Sequence, residues 1–293
     1  MTLKTLALVS LGVVLLFDLT AGVRTIPHSR IRTYSPIYHH GLVPNQRVTE
    51  LWGKQGYRIC TDNLGLRVDC LKPLSHTNVW VLGDSFTEGA GIAYTQTFPA
   101  RIFARNLGCN SYSPKLEFYK LKWALSKLPK PDKLYLFVDI SDSMDEEAYR
   151  HFTPGRTYPI RLWLYKHSWL IHRFTHNPVG DVWVPIAEKA SWQRMNKWDK
   201  DERYRGLYIA QYWAGEIRRV CLSHNVQFRL VVYPWPDTRP DARYRTSWRA
   251  WADRHHVKFV DLFEALGNGD SQYYIPGDVH WNVKGHEVVS RSL

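Results

Sequence analysis

The chain predicts an α/β fold in which a parallel sheet is covered by helices on both faces. Three observations carry that expectation. From residue 79 onward, short apolar runs rich in β-branched residues alternate with segments of helical periodicity. Two of these runs end in polar, turn-forming residues suited to chemistry, and ligands of such sheets sit beyond the carboxyl ends of the strands. At 293 residues the chain has material for one large domain, or for one domain carrying a sizeable insertion.

The first element is an apolar run at 5–17, preceded by Lys4 and followed by Asp18-Leu19-Thr20-Ala21-Gly22. It falls short of the ~20 residues of a comfortable membrane span, and Leu19 and Ala21 suit the positions before a cleavage point. Residues 1–23 therefore read as an export signal, cleaved after Ala21 or retained as a membrane anchor, with a buried core helix as the plain alternative. Either export reading places the remainder outside the cytoplasm, periplasmic or secreted, and in the anchored case held at the inner membrane.

Residues 24–77 are rich in turn formers and lack long periodicity, which predicts a lead-in of loops and short strands. His39 and His40 are neighbours there and would face opposite ways on an extended chain, so a surface role is expected ahead of a shared metal. Cys60 and Cys70 flank 61–66, whose Asn63 and Gly65 favour a reversal. Two outcomes follow for that pair: a disulfide, or two buried thiols. No CxxC spacing occurs among the four cysteines, so zinc is not expected.

The main domain is expected over 78–293. The run Val79-Trp80-Val81-Leu82 reads as a first buried strand, and 95–107 has helical spacing at Phe98, Ile102, Ala104 and Leu107. Pro114 opens a second helix to Leu128, and 133–140 is a strong strand. The alternation breaks at about 149–212, an aromatic-rich insertion. It carries Trp163, Trp169, Trp183, Trp192, Trp198, Tyr204, Tyr208 and Tyr212 among Arg161, Lys166, Arg173 and Arg194. Such rings suit a sugar platform, a lipid interface, or simple packing against the sheet. An amphipathic helix follows at 204–224, burying Leu207, Ala210, Ile217 and Cys221, and then a strand at 226–233, a helix at 242–254 and a strand at 257–262.

The formal charge of +12 and a pI near 9.5 favour an anionic partner by long-range attraction. Anionic lipid and acidic polysaccharide fit. Nucleic acid is disfavoured, because the cations are scattered and no groove-entering motif appears.

Candidate chemistry lies at the two ends of this domain. The strand at 79–82 delivers Gly83-Asp84-Ser85-Phe86-Thr87-Glu88-Gly89, a serine in a glycine-flanked turn, and Pro276-Gly277-Asp278-Val279-His280-Trp281-Asn282 offers a carboxylate and an imidazole two positions apart. A serine hydroxyl needs a base to take its proton, and the base works best when a third group fixes its tautomer. Ser85, His280 and Asp278 supply those roles. The bland reading is that residues 83–85 form an Asx-type turn capping a helix, with His280 a polar surface residue. Trp281 and Asn282 are expected to position the histidine turn, and Lys284 to face solvent.

Gly83-Asp84-Ser85 after a strand, matched by Asp278-Val279-His280 near the C-terminus, resembles the SGNH hydrolase (GDSL-type esterase) superfamily over 78–293, the insertion excluded. The resemblance implies a three-layer α/β/α sandwich with a flavodoxin-like sheet, and hydrolysis or transfer of acyl groups. The acid-x-His spacing with Trp281 and Asn282 resembles the exopolysaccharide O-acetylation branch typified by alginate acetylation, where that element precedes the serine.

Two departures stand out. The superfamily more commonly sets its acid three residues before the histidine. It also completes its oxyanion hole with a glycine after the second strand and an asparagine after the third. Here a helix at 95–107 leaves only Gly108-Cys109-Asn110 before Ser111, too short for a strand and a glycine turn, and Ile140 is followed by Ser141-Asp142, where an ionised carboxylate accepts rather than donates. The supporting candidates are accordingly Gly83, Asp84, Asn110 and Asp142, together with the Ser85 N–H.

The expected function is that of an exported serine acyl hydrolase or O-acyltransferase. It would act on esters of acylated, acidic cell-surface carbohydrate through an acyl-enzyme, with no metal or organic cofactor, and would reach the membrane through its N-terminal segment. The alternative is a weak or inactive relative that binds glycan or serves as a scaffold in polysaccharide assembly.

Overall fold

The computed structural model describes residues 2–25, 31–52, 55–72, 77–157, 159–177, 182–183, 200–236 and 242–293. Helix α1 (Leu3–Thr25) comes first. The lead-in holds a hairpin of β1 (Arg32–Ser35) and β2 (His39–Leu42), then an antiparallel sheet of β3 (Arg47–Trp52), β4 (Gln55–Thr61) and β5 (Arg67–Val68). In its last turn Asp62 Oδ1 accepts from the Leu64 and Leu66 N–H groups, and the reversal brings Cys60 and Cys70 together as a disulfide.

The main domain runs through β6 (Val79–Leu82), α2 (Ser85–Glu88), α3 (Phe98–Arg101), β7 (Arg105–Asn106), α4 (Pro114–Leu125), β8 (Lys133–Val138) and α5 (Asp142–Ala148). The insertion contributes α6 (Pro159–His167), α7 (Trp169–Thr175), β9 (His176–Asn177) and β10 (Val182–Trp183). The chain finishes with α8 (Lys200–Ser223), β11 (Gln227–Val232), α9 (Ala242–Arg254), β12 (Lys258–Asp261) and α10 (Val283–Ser292).

Five parallel strands lie in the order β12-β11-β8-β6-β7. Counted from β6, that is the flavodoxin-like order 2-1-3-4-5, whose switch point lies between β6 and β8. Alternation along the strands sorts the core into two layers. Trp80, Leu82, Leu134, Leu136, Leu230 and Val232 pack with Leu121 of α4, Leu207 and Ile217 of α8 and Trp248 of α9. Val81, Tyr135, Phe137 and Val231 pack with Phe86, Phe98, Trp281 and Val289. Helices thus cover both faces, in an α/β/α sandwich.

Three expectations need correction. The helix at 95–107 stops at Arg101: Pro99 starts a short turn, Phe103 takes a left-handed φ of 52°, and Arg105–Asn106 runs parallel to β6. A second strand therefore exists, and Gly108 follows it. His39 and His40 are buried rather than on the surface; His39 has a φ of 71°, and their Nδ1 atoms meet at 2.7 Å. The helix expected at 204–224 runs from Lys200 to Ser223 as α8.

Trp192, Trp198 and Arg194 lie outside the described residues. Trp163, Trp169, Tyr208 and Tyr212 are exposed, so these insertion rings do not serve mainly to pack against the sheet. Among the described residues no helix is long and apolar enough to cross a membrane.

Candidate active site

The site forms where β6 and the C-terminal turn converge. Strand β6 ends at Leu82, and Gly83 lets the chain swing tightly into α2: a Cβ there would lie 2.1 Å from Thr87 Oγ1 and 3.1 Å from the Phe137 Cβ. Asp84 caps α2, its Oδ1 accepting from the Phe86 N–H at 2.9 Å and from the Tyr233 hydroxyl at 3.0 Å. This cap presents Ser85 at the first position of α2. The Asx turn and the presented serine are therefore the same structure, not rival readings.

The other half comes from 275–282. Ile275 N–H donates to the His280 carbonyl, Asp278 N–H to the Ile275 carbonyl, and Tyr274 bridges Trp281. The segment is a turn rather than an extended pair, so the shared direction of Asp278 and His280 comes from their hydrogen bonds. Asp278 Oδ1 accepts the His280 N–H at 2.9 Å and bonds His280 Nδ1 at 2.5 Å. Asn282 caps α10 and also donates to the Gln272 and Tyr274 carbonyls, while Trp281 is fully buried beneath the turn. Both residues position the histidine turn. Lys284 is exposed.

His280 Nε2 lies 2.7 Å from Ser85 Oγ. With Nδ1–H donated to the carboxylate, Nε2 carries the lone pair that accepts the serine proton. Both side chains are nearly buried, at 6% exposure for Ser85 and 8% for His280. Phe86 packs on the imidazole at 4.8 Å between ring centroids, and Trp52 meets it edge-on at 4.7 Å. Burial pushes the Asp278 carboxyl upward, but the hydrogen bonds and charge of His280 and the bond from Trp52 outweigh it and hold the group below the usual carboxylate range.

The supporting candidates are more dispersed. The Ser85 N–H has no acceptor among the described residues. Gly108 N–H is taken by Asn106 Oδ1 at 2.9 Å, and Cys109 N–H by the Gly83 carbonyl at 3.2 Å. Asn110 is buried; its N–H donates to Glu88 Oε2 at 2.8 Å and its carbonyl bonds His40 Nε2 at 2.7 Å. Asp142 turns back on its own loop, accepting the Asp139 N–H at 2.7 Å. Burial, followed by Asp139, Glu117 and Asp84, raises its pKa well above the usual range. Among the described residues no group of three or more His, Cys, Asp or Glu side chains is arranged to hold a metal.

Several contributors carry no sequence signal. Arg32 of β1 forms a two-pronged ion pair with the fully buried Glu88 at 2.7 and 2.9 Å, under the end of α2. Asp139, at the end of β8, accepts from Ser141 and from Trp235 Nε1 at 2.6 Å. Trp52 Nε1 donates to Asp278 Oδ2 at 2.8 Å across 226 positions of sequence. Only the acidic residue after β8 could have been suspected, from its place at the strand end.

No protein-family model and no curated protein matches the chain. Among solved structures it is similar to a protein assigned to the G-D-S-L lipolytic family from Desulfitobacterium hafniense, at 15% identity and a TM-score of 0.46, covering 74% of this chain and 100% of that one. It is also similar to an esterase from Pseudoalteromonas, at 10% identity and a TM-score of 0.45, covering 73% and 93%. A third is a variant of an acetyl-xylooligosaccharide esterase from Geobacillus, at 16% identity and a TM-score of 0.38, covering 74% and 92%. At such identities and scores nothing about the site follows from these likenesses, which leaves its own geometry.

Proposed function

We propose that the chain is a serine acyl hydrolase or O-acyltransferase. The observation that carries this is the continuous hydrogen-bonded line from Asp278 Oδ1 through the His280 ring to Ser85 Oγ, with links of 2.5 and 2.7 Å. His280 Nε2 takes the proton as Ser85 Oγ attacks an ester carbonyl, and Asp278 stabilises the imidazolium that results. The tetrahedral oxygen leans on the Ser85 N–H. Collapse expels the alcohol, which leaves with the proton from His280, and an acyl-serine remains. Water, or a sugar hydroxyl, then attacks it by the reverse path.

The backbone donors of Gly108, Cys109 and Asn110 are all committed elsewhere, which supports modest turnover: one missing oxyanion donor costs ~3 kcal/mol, or 10²- to 10³-fold. The weakly active or inactive glycan-binding alternative draws its support from the same feature.

For the substrate we favour acylated, acidic carbohydrate at the cell surface. The net charge of +12 supports an anionic polymer, and the exposed rings of Trp163 and Trp169 near Arg161, Lys166 and Arg173 support stacking on sugars. We place the chain outside the cytoplasm with α1 retained. That reading draws on Asp18 of α1, whose carboxylate accepts from the Ser168 hydroxyl at 2.5 Å and the Leu170 N–H at 2.7 Å at the start of α7.

The test is covalent labelling. A fluorophosphonate probe should modify Ser85 in the native protein and not in Ser85→Ala, with parallel loss of p-nitrophenyl acetate hydrolysis. An unlabelled native protein that is retarded in an acidic-glycan affinity gel would instead select the binding role.

A further inference from the structure

We propose that Trp52 is a positioning residue of the Ser85, His280 and Asp278 machinery, so that the lead-in sheet completes the active site. The inference rests on the acyl-transfer reading above and adds a fourth member to its hydrogen-bonded line.

Trp52 ends β3, opposite Gln55 at the tip of the β3 to β4 hairpin. Its indole N–H donates to Asp278 Oδ2 at 2.8 Å, while Oδ1 of the same carboxylate serves the His280 N–H and Nδ1. Both oxygens are therefore committed. A carboxylate bonded through one oxygen can still rotate about its terminal torsion, which is broad and two-fold; a donor on the second oxygen fixes its plane. The same indole meets the His280 ring edge-on at 83° between planes, restricting the imidazole as well.

The seat for this ring is built into the loop that follows the serine helix. A Cβ at Gly91, whose φ is 77°, would lie 3.2 Å from Trp52 Cδ1, 3.3 Å from its Cγ and 2.8 Å from the Ile275 Cδ1. Glycine there both permits the turn and leaves room for the indole. The sheet that carries Trp52 is tied to the same loop: buried Arg67 of β5 donates to the carbonyls of Glu88 at 2.6 Å, Gly89 at 2.5 Å and Ile92. The Cys60 to Cys70 disulfide braces the sheet behind it. The Asp278 side chain keeps 27% of its surface exposed, so without the indole its outer oxygen would bond mobile water. Trp52 substitutes a fixed donor for a mobile one.

Trp52→Phe keeps the ring contact and removes only the donor. It should lower kcat for p-nitrophenyl acetate, and the rate of fluorophosphonate labelling at Ser85, by about 10-fold with KM within about 2-fold, a loss in the range of one hydrogen bond to a charged group. Thermal unfolding of Trp52→Phe checks that the fold is intact. If Trp52 acts through Asp278, the same change in an Asp278→Ala background should cost nothing further. A Trp52→Phe protein within about 2-fold of native, or an equal loss with and without Asp278, overturns the proposal while leaving the acyl-transfer reading standing. A native protein that never labels at Ser85 overturns both.

Discussion

Removing Arg32 from its ion pair with Glu88 is the sharpest perturbation of the platform beneath the serine helix. Glu88 is fully buried at the end of α2, and its carboxylate receives Arg32 at 2.7 and 2.9 Å and the Asn110 N–H at 2.8 Å. Burial pushes Glu88 upward, but Arg32 and the Asn110 N–H outweigh it and bring it below the usual range. Arg32→Met therefore leaves a buried charge with one donor remaining. Breaking one partner of a buried pair costs about 3–5 kcal/mol. At ~2–4 °C per kcal/mol for a domain of this size, the melting temperature should fall by roughly 10 °C. Arg32→Met/Glu88→Gln removes the charge and keeps an acceptor for Asn110, so it should recover more than half of that loss. The sign of the pH dependence is fixed too. A carboxyl with a depressed pKa contributes stability above its ordinary value near 4.5 and loses it as pH falls, so the native and Arg32→Met proteins should converge in acid. The assay is urea unfolding followed by tryptophan fluorescence at pH 7 and pH 4. The reasoning is refuted if Arg32→Met costs under ~1 kcal/mol at pH 7, or if the double variant is no more stable than the single one.

Glu146 lies buried, and desolvation raises its pKa to about 8 despite a 2.7 Å hydrogen bond from the Lys115 N–H. A raised carboxyl gives full stability below pH ~4.5 and loses it as pH climbs through 8, so melting temperature should fall between pH 5 and 8.5, and Glu146→Gln should flatten that slope. Gly83→Ala drives a methyl toward Thr87 Oγ1 in a fully buried turn, so it should destabilise by about 1–3 kcal/mol and reduce Ser85 labelling. Reduction of Cys60 to Cys70, ten positions apart, should cost about 2–3 kcal/mol in denaturant unfolding, read by comparing melts with and without reductant. Asn110→Ala tests the oxyanion role directly: if its side chain supplies the second donor, kcat should fall ~10²- to 10³-fold with KM little changed.

Local chemistry written into contiguous residues carried much of this molecule. The strands at 79, 133, 227 and 258 follow from apolar runs, and the helices at 114 and 242 from periodicity and a proline. The serine turn and the acid-x-His turn are each recognisable because the bonds by which Asp84 and Asp278 accept from the Phe86 and His280 N–H groups both span only two residues. That Cys60 and Cys70 would meet was readable as one of two outcomes, since Asn63 and Gly65 predispose the intervening chain to reverse.

Folding alone decided what depends on distant partners. The strand at Arg105–Asn106 is too short for any pattern, and it exists because β6 offers it a parallel edge. His39 and His40 look like surface residues until Tyr112, Tyr149 and Phe152 close around them. Trp52 reaches Asp278, and Arg32 reaches Glu88, only after the lead-in docks on the sheet, because hydrogen bonds and ion pairs act over a few ångströms and carry no trace along the chain. Residue types announce which groups can react; the packing of remote segments determines which of them are held still enough to do so.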